Sequence, residues 1–149
     1  MNLSKRGEYA LRALIALGIA QSTGRELVPL RELAKNENIP GKFLEQILIQ
    51  LRENGYVQTK RGKLGGYFLA RPMDNISIGQ VVRLIDGPLA PISCVSQTAY
   101  KKCSCPDEAN CGLRILMLDV RNAIANILDR YTLADSVSAT LSKKASPAK

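Results

Sequence analysis

Two short amphipathic stretches joined by a tight turn, and followed at once by a glycine-rich basic hairpin, narrow this chain to very few folds. Pro29 suits the first turn of a helix running to about Asn36, with Leu30, Leu33 and Ala34 turned inward. Asn38-Ile39-Pro40-Gly41 is a turn, and a second helix runs from it to about Asn54. Its apolar positions Phe43, Leu44, Ile47, Leu48 and Leu51 recur at spacings of three and four, and Gly55 stands where a glycine ends a helix. Two short helices joined in this way form a helix-turn-helix. Residues 56–60 and 67–71 then read as short strands on either side of Arg61-Gly62-Lys63-Leu64-Gly65-Gly66, a hairpin placed as a wing.

The flanking segments fill in the rest. Residues 4–21 predict a broadly apolar first helix with Ser4 as N-cap and Glu8 in its first turn. Ser77 caps a helix to Asp86, which Gly87-Pro88 stops, and residues 87–107 read as irregular. A long helix starts near Cys111 and runs to about Arg130, and Thr132 caps a last short helix. From Leu113, the residues Leu116, Met117, Val120, Ala123, Ile124, Ile127, Leu128 and Tyr131 keep one continuous helical stripe, which reads as a helix–helix homodimer interface. The expected fold is mostly α with a small β-hairpin wing: a winged helix-turn-helix plus a long dimerisation helix. Residues 1–75 form the DNA-binding domain, and 76–110 a connecting helix and cysteine-bearing loop. Residues 111–140 form the dimerisation and C-terminal helices, and 141–149 a disordered tail.

Charge assigns a role to the first part. The formal net charge is +8, and residues 1–71 hold most of it, with twelve Lys or Arg against six Glu. Such a surplus on a winged helix-turn-helix points to a polyanion, double-stranded DNA. An α-helix fits the major groove and reads it with residues near its N-terminus, here Gly41, Lys42, Phe43, Glu45 and Gln46. Gln46 can pair with adenine, and Glu45 can accept from the cytosine amino group. Arg61 and Lys63, beside Gly65 on the wing, suit the minor groove, where the potential is most negative. Arg12, Arg31, Lys35, Arg52 and Lys60 suit phosphates. A dimer would bind a pseudo-palindromic operator.

Histidine is absent, which excludes imidazole acid–base chemistry and imidazole metal ligands, and no phosphate-cradling loop is present. An enzyme is therefore not expected. No run approaches the ~20 apolar residues of a membrane span, and the first residues lack a secretory signal, so a cytoplasmic protein without membrane partners is expected. In a reducing compartment the four cysteines favour metal or redox chemistry over structural disulfides. Cys94, Cys103, Cys105 and Cys111 follow a C-x8-C-x-C-x5-C pattern, unlike the paired C-x2-C of a zinc ribbon but compatible with an iron–sulfur cluster. Lys101, Lys102 and Arg114 would lower the thiol pKa values and offset cluster charge. A metal-free thiol/disulfide switch is the alternative.

Several segments together resemble the Rrf-type winged-helix transcription regulators, the group of the iron–sulfur regulators IscR, NsrR and RirA. They are Leu3-Ser4-Lys5-Arg6-Gly7-Glu8-Tyr9-Ala10, Ile39-Pro40 with Phe43-Leu44-Glu45-Gln46, and Leu51-Arg52-Glu53-Asn54-Gly55-Tyr56-Val57. The wing, Ile78-Gly79-Gln80-Val81-Val82, the cysteine loop and Thr132-Leu133-Ala134-Asp135 complete the set. The resemblance spans about residues 1–137. It implies a homodimeric DNA-binding regulator, more often a repressor, in which three cysteines hold a 2Fe–2S or 4Fe–4S cluster responsive to iron, redox state or nitric oxide. Cys94 matches the first family cysteine and Cys111 the last. Cys105 matches the middle one by its gap to Cys111, with Cys103 an extra candidate. Glu45 matches the family's discriminating glutamate and Arg61 its minor-groove arginine. The IscR type takes its fourth ligand from a His where this chain has Arg114, so the fourth ligand must be another Cys, solvent or Glu8, an acidic position that in some members reaches the cluster from the partner subunit.

Overall fold

The structure, a computed structural model, describes residues 2–145. Helix α1 (Lys5–Ser22) is followed by α2 (Leu30–Glu37) and α3 (Gly41–Glu53), then strands β1 (Val57–Lys60) and β2 (Gly66–Leu69). A 3-10 turn over Met73–Asn75, helix α4 (Ile78–Asp86), a second 3-10 turn over Ser93–Val95, α5 (Gly112–Arg130) and α6 (Leu133–Ala145) follow. This is the mostly helical, winged helix-turn-helix arrangement that the sequence predicts.

Local signals act where the residue types place them. The Ser4 hydroxyl accepts from the Gly7 N–H at 2.9 Å, and the Ser77 hydroxyl from the Gln80 N–H at 3.2 Å. At the start of α6, Thr132 and Asp135 cap each other: the Thr132 N–H donates to Asp135 at 2.8 Å, and the Asp135 N–H to the Thr132 hydroxyl at 3.2 Å. The turn between α2 and α3 puts Asn38 in the left-handed region at φ 54°, a conformation that asparagine tolerates better than most residues. Ile39, directly after it, is buried and draws the turn onto the core.

The main core is aliphatic. Leu14 and Leu17 of α1 meet Leu33 of α2 and Leu44, Ile47, Leu48 and Leu51 of α3, with Val57 and Leu69 of the hairpin closing one side. Side-chain bonds to distant backbone and side chains lock these helices together. The Arg6 guanidinium donates twice to the Gln50 side-chain oxygen, at 2.8 and 3.1 Å, and Gln50 donates on to the Leu84 carbonyl at 3.3 Å. One glutamine thus joins α1, α3 and α4. The start of α1 is held too, because the Ser4 N–H donates to Asp86 at the end of α4 at 2.8 Å.

The wing is fastened to the helix-turn-helix rather than hanging from it. β1 and β2 pair antiparallel in the register Val57 to Leu69 through Lys60 to Gly66. Beyond that register, Val28 and Tyr67 exchange two backbone bonds, at 3.0 and 2.8 Å, so the segment entering α2 forms a third, one-residue partner for the hairpin. The approach is so close that a Cβ on Gly66 would lie 2.6 Å from the Val28 carbonyl carbon. Arg71 closes the base, stacking 4.3 Å over the Tyr56 ring and donating to the Asn54 and Gly55 carbonyls just past α3.

The C-terminal half departs from the expected boundaries. α6 is not an appendage of the long helix: Leu133 and Val137 sit in the main core, against α1. Helix also persists through Ala145, beyond the expected start of a disordered tail at 141; residues 146–149 lie outside the described residues. α5 splits its apolar stripe. Ile124 and Leu128 cover a small second cluster of Ile78, Val82 and Leu89, whereas Leu113, Leu116, Val120, Ile127 and Tyr131 are exposed. A bidentate pair, Arg83 to Asp129 at 2.6 and 2.9 Å, clasps α4 to α5.

Leu48 is fully buried in the main core, so Leu48→Ala removes a side chain that nothing nearby can replace. It is expected to lower unfolding free energy by about 2–5 kcal/mol, read from urea denaturation. An unchanged midpoint would show that α3 is not seated as described.

Candidate nucleic-acid interface and cysteine loop

Burial sorts the residues of α3. Leu44, Ile47, Leu48 and Leu51 face inward, leaving Lys42, Glu45, Gln46 and Arg52 exposed. Phe43, expected among the DNA-reading residues, is instead half-buried and meets the Tyr9 ring edge-on, with centroids 5.5 Å apart. Its apolar ring gains more from that contact than from water.

Between α3 and the wing lies a cleft of about 440 Å³ whose lining includes Arg52, Lys60, Arg61, Lys63 and Gly65. Pro29 and Leu30, at the start of α2, form its far wall. Four cations on one concavity beside a helix start make a surface for a phosphate backbone. Gly65 takes part through its lack of a side chain, since a Cβ there would strike the Lys60 carbonyl. Arg12 is engaged internally: it donates to the Glu37 carbonyl, pairs with Glu37 and Glu8 at 3.5 Å each, and lies 5.4 Å over the Tyr9 ring. It is a tie between α1 and α2, and spacing alone gave no sign of that.

The cysteine loop brings three thiols together. The Cys105 N–H donates to the Cys103 sulfur at 3.3 Å. The Cys105 thiol is pushed up to about 12, chiefly by its hydrogen bond to Cys103, then by burial and by Cys111. Cys111 stands at the N-cap position of α5, where the backbone N–H groups of Arg114 and Leu113, the Cys105 thiol and the Arg114 charge hold its thiol below the ordinary range; burial opposes them. Cys94, the fourth cysteine, is buried in the turn over Ser93–Val95. Among the described residues, no group of three or more His, Cys, Asp or Glu side chains stands in metal-holding geometry. Glu8 is half-buried and already paired with Lys5 at 3.1 Å and Arg12 at 3.5 Å.

Sequence reasoning missed the brace that shapes this loop. The Tyr100 hydroxyl donates to both Glu108 carboxylate oxygens at 2.8 Å, which raises its own pKa, and Glu108 pairs with Arg114 at 3.4 Å. A tyrosine eight residues before a glutamate has no local pattern to reveal it.

The model of the family described as "Rrf2: Iron-dependent Transcriptional regulator" matches residues 3–139. The chain belongs to the Rrf2 family. An Rrf2-like HTH-type transcriptional regulator of Rhodobacter capsulatus is 37% identical over 139 residues, covering 92% of this chain and 93% of its own. The structure of CymR, the global cysteine regulator of B. subtilis, superposes with a TM-score of 0.78 at 29% identity, covering 93% and 98% of the two chains. IscR of T. potens superposes with a TM-score of 0.73 at 27% identity, covering 100% and 93%. The Rrf2 chain is thus a DNA-binding transcriptional regulator and not an enzyme. No helix among its described residues is long and apolar enough to cross a membrane.

Two outcomes follow from this geometry. Arg52→Ala and Lys60→Ala are each expected to reduce the slope of log affinity against log salt by about one unit, in titrations of duplex DNA over several salt concentrations. An unchanged slope would remove that residue from the phosphate contacts. In the thiol state, alkylation by iodoacetamide should reach half its maximal rate at lower pH for Cys111 than for Cys105, because the first thiol is depressed and the second raised. Peptide mass spectrometry across a pH series checks the order, and the reverse order contradicts it.

Proposed function

We propose that this Rrf2 regulator works as a homodimer on a pseudo-palindromic operator, and that its cysteine loop holds an iron–sulfur cluster whose state sets promoter affinity, most simply as a repressor. The observation that carries the reading is the meeting of Cys105 with Cys103 and Cys111 at the start of α5. The donor set fits the group in its chemistry: soft thiolates, with a helix N-terminus and Arg114 stabilising negative sulfur. Cys94, Cys105 and Cys111 would hold the cluster, with Cys103 the further thiol. Glu8 is a poorer donor within its own chain, because Lys5 and Arg12 already neutralise it. When bound, the cluster supplies an iron- and redox-responsive cross-link between loop and helix.

The chain's own residues supply the rest. The exposed stripe of Leu113, Leu116, Val120, Ile127 and Tyr131 is matched best by the same stripe of a second copy, since apolar side chains on one helical face gain by mutual burial. A two-fold pairing along α5 presents two α3 helices and two wings to symmetric half-sites. From the loop, a continuous path leads to the DNA side. Cys111 begins α5, Arg83 and Asp129 join α5 to α4, and Gln50 joins α4 to α3. Any change that favours one placement of α5 therefore biases the recognition helix.

A second reading, a metal-free dithiol switch, draws on the opposed pKa shifts of Cys111 and Cys105. A Cys111 thiolate next to a protonated thiol can form a disulfide, the one remaining thiol proton and two electrons passing to an oxidant such as hydrogen peroxide, which leaves as water and hydroxide. One preparation separates the two. Purified without oxygen, the protein is expected to be coloured, with iron and acid-labile sulfide in equal amounts, and Cys111→Ser to lose both. Colourless wild-type protein that gains a Cys105 disulfide on peroxide treatment overturns the cluster in favour of the switch.

A further inference from the structure

We propose that Leu64 is an apolar wedge, presented by the wing to a base step in the DNA minor groove, next to the cationic contacts of Arg61 and Lys63. The inference rests on the DNA-binding function of the family and adds to it a residue that reads the deformability of the duplex. Leu64 is 90% exposed, more than any other large hydrophobic among the described residues. Its place in the hairpin explains why its own chain leaves it uncovered. The Gly65 N–H donates to the Gly62 carbonyl at 3.0 Å, so Lys63 and Leu64 are the two central residues of the closing turn and form its far corner.

The corner is held firmly. A Cβ on Gly65 would strike the Lys60 carbonyl, and Gly66 lies directly against Val28, so the turn is pressed into one shape and seated on the entry to α2. A leucine on a rigid arm is presented in one direction, unlike a leucine on a loose loop. Single exposed leucines are common on protein surfaces, but the setting of this one is particular. No acidic residue occurs between Gln58 and Arg71, and Arg61 and Lys63, just before Leu64 in the hairpin, are both exposed. The partner of that tip is therefore a polyanion with an apolar surface inside it. Duplex DNA has that construction, with phosphates on the rim of the minor groove and base edges and stacked faces within. Apolar side chains flanked by cations enter the groove by partly unstacking a base step, and flexible pyrimidine–purine steps yield most easily.

The test uses full-length protein and a duplex that the wild type selects from a random-sequence pool, with 2-aminopurine placed in turn at the steps facing the wing. Wild-type protein is expected to brighten the probe at one step, which reports unstacking. Leu64→Ser should abolish that signal and weaken binding about tenfold, with an unchanged salt slope because no phosphate contact is lost. Leu64→Met should restore both signal and affinity, whereas Lys63→Ala should lower the salt slope. The side chain packs on nothing in its own chain, so all variants should melt with the wild type. Leu64→Ser with wild-type affinity and wild-type fluorescence overturns the proposal, as does a loss of affinity accompanied by a lower salt slope. If the wild type selects no duplex, the DNA-binding reading fails as well, and this outcome is distinct from a selected duplex that is indifferent to Leu64.

Discussion

Burial of Leu44, Ile47, Leu48 and Leu51 on a single face of α3 orients the rest of the molecule. Once that face is committed to α1 and the hairpin, Lys42, Glu45, Gln46 and Arg52 have only solvent or a ligand to face. The core beneath is built from branched aliphatic side chains, which fill space through shape rather than through polar anchors. Directional bonds are concentrated where one helix must be registered on another. Gln50 is the clearest case, since its amide accepts from Arg6 and donates to Leu84, so that three helices share one side chain.

The wing illustrates how a small sheet gains rigidity that two short strands alone would lack. A lone hairpin of this length is marginal in water. Here the Val28–Tyr67 backbone pair and the Arg71 stack on Tyr56 bind it to the helix-turn-helix at both ends. Arg61 and Lys63 are thereby held at a set displacement from the exposed face of α3. That displacement decides whether one duplex can meet both.

α5 faces two ways, so in the proposed mechanism it can link the cysteine loop to DNA binding. One side closes the small cluster around Ile78, Val82 and Leu89, and the other carries an exposed apolar stripe. The cysteine loop feeds directly into its first turn, and the Arg83–Asp129 clasp joins its far part to α4. The clasp is partly exposed, so its worth is modest in energy. Its value lies in direction, because a bidentate pair fixes an angle between two helices as well as a distance.

Much of this was legible beforehand, for a physical reason. Helix spacing, N-caps at Ser4 and Ser77, the glycines of the hairpin and the excess of basic charge are local properties, set by neighbours within a few residues along the chain. They were enough to establish a winged helix-turn-helix and the loop in which the thiols lie. They did not reveal that Phe43 has an aromatic partner on α1, nor that Arg12 is paired with Glu37. They also could not divide the stripe of α5 into a half that meets its own domain and a half left open, nor return α6 to the main core through Leu133 and Val137. Those outcomes depend on which surfaces distant segments bring together. Periodicity tells that a side chain will be buried, but only packing tells against what.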